Sequence, residues 1–435
     1  MPPDHEGVPH PRRQMATISA ACAVTLPGLL LRLTGAHVSH YLEAVLFGLA
    51  IVGAAFILSW AAEVAQLDLS AGLAIAILAF IAVLPEYAVD LVFAWKGGNA
   101  VQEFGPTCMG PGAQGESACS LALANMTGAN RLLIGIGWSL VVFLAYFQWR
   151  RRNDPTNSIT LERKHSVELA FLAIASLYSL SLPLKRSITL IDAAILVGLF
   201  AAYTVRISRA PAEEPHLVGP ARYVGSFSVT RRRGSVIGMF LFAAFVIVAC
   251  AEHFAEALVA TGAEFGVSEF LLVQWLAPLA SEAPELLVAG LYAWRLNTNA
   301  GLGTLVSSKV NQWTLLVGSL PIVFAIASGS LSGLPIIARQ REELLLTAAQ
   351  SVFAVAILSN LDISVKEAGA LFGLFWAQFI VGAFVPEDMH GAELIGVSVV
   401  YLVLAAFILL RRPKRFGLLF RDGVRTDYEE MAAAE

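Results

Sequence analysis

Apolar runs long enough to cross a bilayer, separated by short polar stretches, fill almost the whole chain. At about 20 apolar residues per crossing, the pattern predicts about twelve helical spans. They fall near 17–34, 41–65, 70–95, 118–148, 166–182, 189–206, 235–264, 269–294, 302–325, 342–360, 367–384 and 393–410. The predicted class is all-α and polytopic. Polar side chains inside these runs are few, and some recur at a fixed spacing. Leu84-Pro85-Glu86 precedes Phe93-Ala94-Trp95-Lys96, and Ala283-Pro284-Glu285 precedes Tyr292-Ala293-Trp294-Arg295. Both elements repeat at one offset, since 285 − 86 = 199 and 294 − 95 = 199. A proline and an acid, duplicated inside apolar runs, imply two related halves that share a kinked, carboxylate-bearing helix.

Composition supports the pattern. Of 435 residues, 57% are hydrophobic and 14% charged, against about 25% charged in soluble domains. A formal net charge of −4 leaves no nucleic-acid footprint. The polar Met1–Gln14 stretch is followed by an apolar run carrying Pro27 and Arg32, so an uncleaved first helix is expected. Cys22 and Cys250 lie in apolar runs, while Cys108 and Cys119 share a Gly/Pro-rich loop where a disulfide can form on an oxidising side. Zinc-ligand spacings and HExxH, GxSxG and GxxxxGK[ST] motifs do not occur. Enzymatic chemistry, direct ATP use and a resident cofactor are therefore not expected.

Basic residues set the orientation. Arg150, Arg151, Arg152, Arg163 and Lys164 crowd one loop, and Arg206, Arg209, Arg222, Arg231, Arg232 and Arg233 mark the next long one. Arg411, Arg412, Lys414 and Arg415 follow the last span. All three clusters fall on one side, which the positive-inside rule makes cytoplasmic, with both termini inside and the protein in the cell membrane. Five helices separate equivalent positions, and an odd number inverts the second copy. The expected organisation is an N-terminal tail and extra helix (1–40), a first five-helix repeat (41–206) and a cytoplasmic linker (207–234). A second repeat (235–384) and a C-terminal helix with a basic tail (385–435) follow.

Glu86 and Asp90 are spaced i,i+4 and Glu282 and Glu285 i,i+3, so each pair shares a helix face. Pro85 and Pro284 remove helical N–H groups and free carbonyls one turn earlier. Carboxylates beside freed carbonyls suit a hard cation such as calcium. Each half also carries a polar helix of small residues, Ala124-Asn125-Met126-Thr127-Gly128-Ala129-Asn130-Arg131 and Gly303-Thr304-Leu305-Val306-Ser307-Ser308-Lys309-Val310-Asn311-Gln312. Small residues permit close helix approach, and amide and hydroxyl oxygens extend a coordination shell.

In these residues the chain resembles the calcium/cation antiporter superfamily, in particular the membrane region of sodium/calcium exchangers. The family pattern is a Gly-Thr-Ser-x-Pro-Glu helix followed by a Gly-Asn-x-x-Gly-Ser-Asn-x-x-Asn helix, once per inverted half. Glu86 and Glu285 match its central acids, Pro85 and Pro284 its kinks, and Asn125, Gly128 and Asn130 its first polar helix. The resemblance implies calcium and counter-ion binding at these positions, with alternating access between the halves. The departures matter. Thr-Ser becomes Ala82-Val83 in one half and Ser281-Glu282 in the other. The last asparagine of the first polar helix becomes Leu133, and the three of the second become Thr304, Lys309 and Gln312. Several sodium-binding oxygens of the family are thus missing, while Ala61-Ala62-Glu63 is similar to its proton-coupled branch.

The expected ligands are Glu86, Glu285, Asp90, Glu282, Asn125, Asn130 and Ser308. Lys309 and Arg131 are expected to balance charge: four acids and two bases leave −2, which one divalent cation neutralises. Lys309 then stands as a tethered cation where relatives hold sodium. Glu252, His253 and Glu256 in the seventh span are candidates for a proton relay towards the site. Together these readings imply a secondary antiporter of inorganic cations, calcium against sodium or protons, embedded in the lipid bilayer. A sodium/proton antiporter and a transport-inactive membrane scaffold or sensor are the other readings.

Overall fold

The structure, a computed structural model, describes residues 11–68, 84–105, 108–109, 117–210, 217–266, 269–386 and 389–433. The first half of the predicted third span, with Ala82 and Val83, lies outside the described residues. Repeat one contains α2 (His40–Ala65), α3 (Leu84–Phe104), a long helix of α4 (Ala118–Leu132) and α5 (Ser139–Arg151), α6 (Ser166–Ser179) and α7 (Leu190–Ile207). After the short α8 (Pro220–Gly225), repeat two contains α9 (Val229–Phe265), α10 (Glu269–Trp294) and a long helix of α11 (Thr298–Asn311) and α12 (Val317–Ser328). It ends with α13 (Ala338–Ile357) and α14 (Val365–Phe384). The extra helices are α1 (Pro11–Thr34) and α15 (His390–Arg411). Nine of the described helical segments are long and apolar enough to cross a membrane. Helices α3, α10 and α14 stand where three further spans are predicted. The all-α, two-repeat class follows, with five crossings per half.

The backbone repeats in detail. One π-helical segment, Leu133–Trp138, joins α4 to α5, and another, Gln312–Leu316, joins α11 to α12. Four short strands repeat as well: β1 (Ser158–Thr160) and β3 (Leu334–Pro335) follow the long helices, and β2 (Ser187–Ile188) and β4 (Asp362–Ser364) precede α7 and α14. They pair antiparallel across the halves, β1 with β4 and β2 with β3. Ile159 faces Ile363 in the first ladder, and Ile188 faces Leu334 in the second. Exchanging the halves turns one ladder into the other. One crossing, α6, separates β1 from β2, so the ladders tie the repeats together at opposite ends of the bundle.

Exposure is inverted relative to a soluble protein. On α9, Leu241, Phe245 and Val248 form an outward i,i+4,i+7 stripe, Val248 being 72% exposed. On α15, Val399, Val403, Phe407 and Leu410 do the same. Apolar surface of this kind costs nothing against lipid tails, while polar groups gather inside. With no hydrophobic drive between helices in lipid, close packing holds them together. Gly128 on α4 lies so near α10 that an added Cβ would sit 1.7 Å from the Gln274 carbonyl oxygen. Gly98 on α3 plays the same part against α12, where the Phe324 carbonyl would be 2.8 Å away.

Two regions exceed the predicted boundaries. Helix α9 begins six residues before the predicted 235, since arginine is a good helix former and Arg232 and Arg233 find a carboxylate. Arg232 Nε lies 2.8 Å and Arg233 Nε 3.0 Å from Asp68 at the end of α2. The basic tail is likewise ordered, as α16 (Pro413–Val424) and α17 (Tyr428–Ala432). Arg163 pairs with Asp422 at 2.7 Å, and Arg206 donates to the Gly423 carbonyl at the C-terminal end of α16 while lying over the Tyr428 ring. Cationic side chains at a helix C-terminus complement its dipole. Cys108 and Cys119 form a disulfide.

Two outcomes test this packing. Gly128→Ala is expected to lose most of the folded, monodisperse protein in detergent, because the obstructing atom is backbone and cannot rotate away. Hydrogen bonding by Arg232, aided by Arg233, holds the Asp68 carboxyl below the usual carboxylate range. Its stabilisation is therefore full above that range and is lost as the pH falls through the lowered value. Asp68→Asn is expected to lower the melting temperature by a few degrees at neutral pH, with the difference from wild type vanishing in acid.

Candidate functional site

The two Pro-Glu helices place their acids at the boundary between the repeats. One carboxylate oxygen from each of Glu86, Glu282 and Glu285 lies within 4.8 Å of the others. Glu86 and Glu282 are fully buried, and Glu285 is partly so. At that separation each pair of like charges repels by about 3–4 kcal/mol at an effective dielectric near 20. A cluster of this kind is stable only with protons or a cation among the oxygens.

The long helix of α11 and α12 supplies the latches. Ser308 Oγ donates to Glu285 Oε2 at 2.6 Å, and the Gln312 amide donates to Glu282 Oε1. These residues are four apart and share a face. From α4, Asn125 Nδ2 donates to Asp90 Oδ1 at 2.8 Å. Asp90 thus stands one turn beyond Glu86 on α3, bound to α4 and outside the three-carboxyl cluster. Both Glu86 oxygens, Glu282 Oε2, Asp90 Oδ2 and Asn125 Oδ1 are buried with no hydrogen-bond partner among the described residues. Unpaired buried acceptors are costly, and oxygens left unpaired within and a turn away from a carboxylate cluster have the chemistry of a hard-cation shell. Pro284 contributes too, since without an N–H it leaves the Ala280 carbonyl without its helical donor.

Asn130 and Lys309 meet across the same boundary. Lys309 Nζ donates to the Asn130 Oδ1 at 2.6 Å and to the Asn130 main-chain carbonyl. They occupy equivalent places in the repeats: 309 − 130 = 179, as are the starts of the π segments, 312 − 133 = 179. Glu86 and Glu285 are also equivalent and also meet. Equivalent residues touch only near the pseudo-two-fold axis, which therefore runs through the cluster.

Four sequence expectations need correction. Arg131 does not balance the cluster. It lies beside Asn130 in sequence, but one residue turns it by about 100° around the helix. Its guanidinium pairs instead with Glu343 of α13 at 2.6 Å, donates to Gln378 of α14 and lies over the Trp275 ring. Glu252 and Glu256 form no relay to the cluster: both are exposed and continue the outward stripe of α9. Glu256 pairs with Lys96 at 2.7 Å and lies 3.5 Å from His253. His253 stacks on Phe47 at 5.4 Å, facing α2 rather than the acids. Glu63, by contrast, buries both carboxylate oxygens near the Val218 backbone.

Sequence reasoning missed Gln312 as a carboxylate partner, having read it only as a lost asparagine. It also missed Glu343 and Gln378. Glu343 follows Arg341 and Glu342 in a charged helix start, and nothing local distinguishes it from a solvated acid.

A membrane exchanger of two inverted repeats with a buried acidic centre is the class defined by this arrangement. The profile of the sodium/calcium exchanger protein family matches residues 40–208 and 235–385, and the chain belongs to that family. Among solved structures, an H+/Ca2+ exchanger, CAX, is 42% identical over 97% of this chain and 99% of its own, with a TM-score of 0.85. Native YfkE, 14% identical over 90% of this chain and 100% of its own, has a TM-score of 0.58. The selenium-substituted form, described as a Ca2+/H+ antiporter, is 15% identical over 92% and 99%, with a TM-score of 0.55. The latter two share the fold. Among curated proteins none matches.

Removing Arg131 alone strands Glu343 as a buried charge, a loss that costs about 3–5 kcal/mol in comparable pairs. Arg131→Leu is therefore expected to abolish folded protein, and adding Glu343→Leu to restore part of it, measured as monodisperse yield and melting temperature. A double variant that regains wild-type folding but loses stabilisation by calcium would return Arg131 to the charge balance of the cluster.

Proposed function

We propose that this cation antiporter exchanges calcium for protons, with Glu86, Glu282 and Glu285 as the central ligands. Ser308, Asn125 and Asn130 serve as outer ligands, and Asp90 orients Asn125. The observation that carries the reading is the three-carboxyl cluster on the pseudo-two-fold axis, each acid from a Pro-Glu helix. Coordination and protonation compete for the same oxygens, so one cluster serves both ions in turn: metal on one face of the membrane, protons on the other. Support for protons as the counter-ion comes from the identity to the H+/Ca2+ exchanger and from the loss of the family's asparagines at Leu133, Thr304, Lys309 and Gln312.

The proposed organisation is an extra N-terminal helix (1–40), exchanging halves at 41–206 and 235–384, a cytoplasmic linker (207–234) and a C-terminal helix and tail (385–435). The separate family matches to the two halves support it. Both termini are placed in the cytoplasm, on the strength of the arginine clusters at Arg150–Arg152, Arg231–Arg233 and Arg411–Arg415. Each half then turns its access path to the opposite side as the first helices, α2 and α9, shift against the ladder-tied core.

The test is calcium uptake into proteoliposomes under an imposed pH gradient or an imposed sodium gradient. Uptake is expected to follow the pH gradient and to fall 10–100-fold, about the loss seen when a metal-site partner is removed, in Glu285→Gln. Uptake that follows only sodium overturns the proton assignment. Sodium-driven proton movement without calcium favours a monovalent antiporter, and an inert protein a scaffold.

A further inference from the structure

Lys309 is a departure from repeat symmetry that puts a positive charge on the axis, where the first half has Asn130. Its side chain is fully buried. It sits near the middle of the continuous α11–α12 helix, twelfth from Thr298, so its stem cannot snorkel to an interface. No carboxylate lies within ion-pair distance of its Nζ among the described residues. Two carbonyl oxygens of Asn130 accept from the ammonium instead, and the Trp313 ring lies 5.5 Å from it. Carbonyl oxygens and an aromatic face are the surroundings of a bound monovalent cation rather than of a structural salt bridge.

We infer that the Lys309 ammonium is a built-in monovalent cation that determines cargo: it occupies the oxygen pair of Asn130 and fixes the cluster at a charge that one divalent ion neutralises. This rests on the reading that the three acids carry the transported ion. Glu86, Glu282 and Glu285 contribute −3 when ionised and Lys309 +1, leaving −2. A lone calcium closes that balance. A sodium ion bound beside it would leave an uncompensated positive charge in low dielectric, and a lone sodium an uncompensated negative one. Specificity therefore comes from a repulsive element built into the site as well as from its ligands. Asp90 does not enter the count, because it stands a turn away, outside the three-carboxyl cluster.

The experiment measures calcium uptake in proteoliposomes with a fixed pH gradient while sodium replaces choline up to about 100 mM, a screening-controlled series at constant ionic strength. Wild type and Lys309→Arg, which keeps the charge, are expected to be indifferent to sodium. Lys309→Met and Lys309→Gln leave −3 and are expected to need a co-bound monovalent ion, so that sodium raises their apparent calcium affinity about tenfold, equivalent to about 1.4 kcal/mol of coupling. Neutral variants that fold and keep wild-type affinity without any sodium effect overturn the inference. Should they not fold, wild type decides: calcium but not sodium is expected to raise its melting temperature. Sodium stabilisation that disappears in Glu285→Gln overturns the inference. A wild-type protein that moves no calcium under any gradient refutes the parent reading instead, so the two failures are distinct.

Discussion

Mutual repulsion among three clustered carboxylates is the constraint around which this molecule is arranged. Oxygens of Glu86, Glu282 and Glu285 are forced within 4.8 Å of one another, and nothing in the acids themselves would bring them there. The force comes from the helices. Gly128 lets α4 close on α10, Gly98 lets α3 close on α12, and the latches from Ser308 and Gln312 hold two of the three side chains in place. Packing thus holds like charges together, a tension that a cation or protons among the oxygens would relieve. A site that is uncomfortable when bare and comfortable when loaded is what an exchanger needs, because exchange requires that the unloaded carrier resist crossing alone.

Inversion provides the second half of the design. The axis passes between Glu86 and Glu285 and between Asn130 and Lys309, so both halves contribute to one set of oxygens. The ladders β1–β4 and β2–β3 fasten the halves at the two ends of the bundle through main-chain groups. Their hydrogen bonds survive side-chain drift, and this tolerance permits the repeats to diverge in sequence while holding their register. Such drift is visible at the site: Asn125 corresponds to Thr304, Leu133 to Gln312, and Asn130 to Lys309.

What the chain revealed before its structure divides along a physical line. Span positions, the duplicated Pro-Glu helices and the inversion were legible because membrane helices obey a length rule and an internal repeat is visible to simple subtraction. The central pair, Glu86 and Glu285, was legible because an acid within lipid demands a reason. The direction in which a helix face points was not. Spacing placed Glu252 and Glu256 on one face, but only packing shows that this face continues the exposed stripe of Leu241, Phe245 and Val248. Adjacency placed Arg131 with Asn130, but its partner Glu343 is 212 residues away, a distance across which sequence pattern carries no information.

The pairing of Asn130 with Lys309 has one further consequence. A machine made of two interchangeable halves would have its two facings at equal energy, since a half-turn about the axis converts one into the other. An amide on one side of the axis and an ammonium on the other destroy that degeneracy at its centre. The centre of the molecule is thus chemically one-sided, and a half-turn about the axis no longer maps it onto itself.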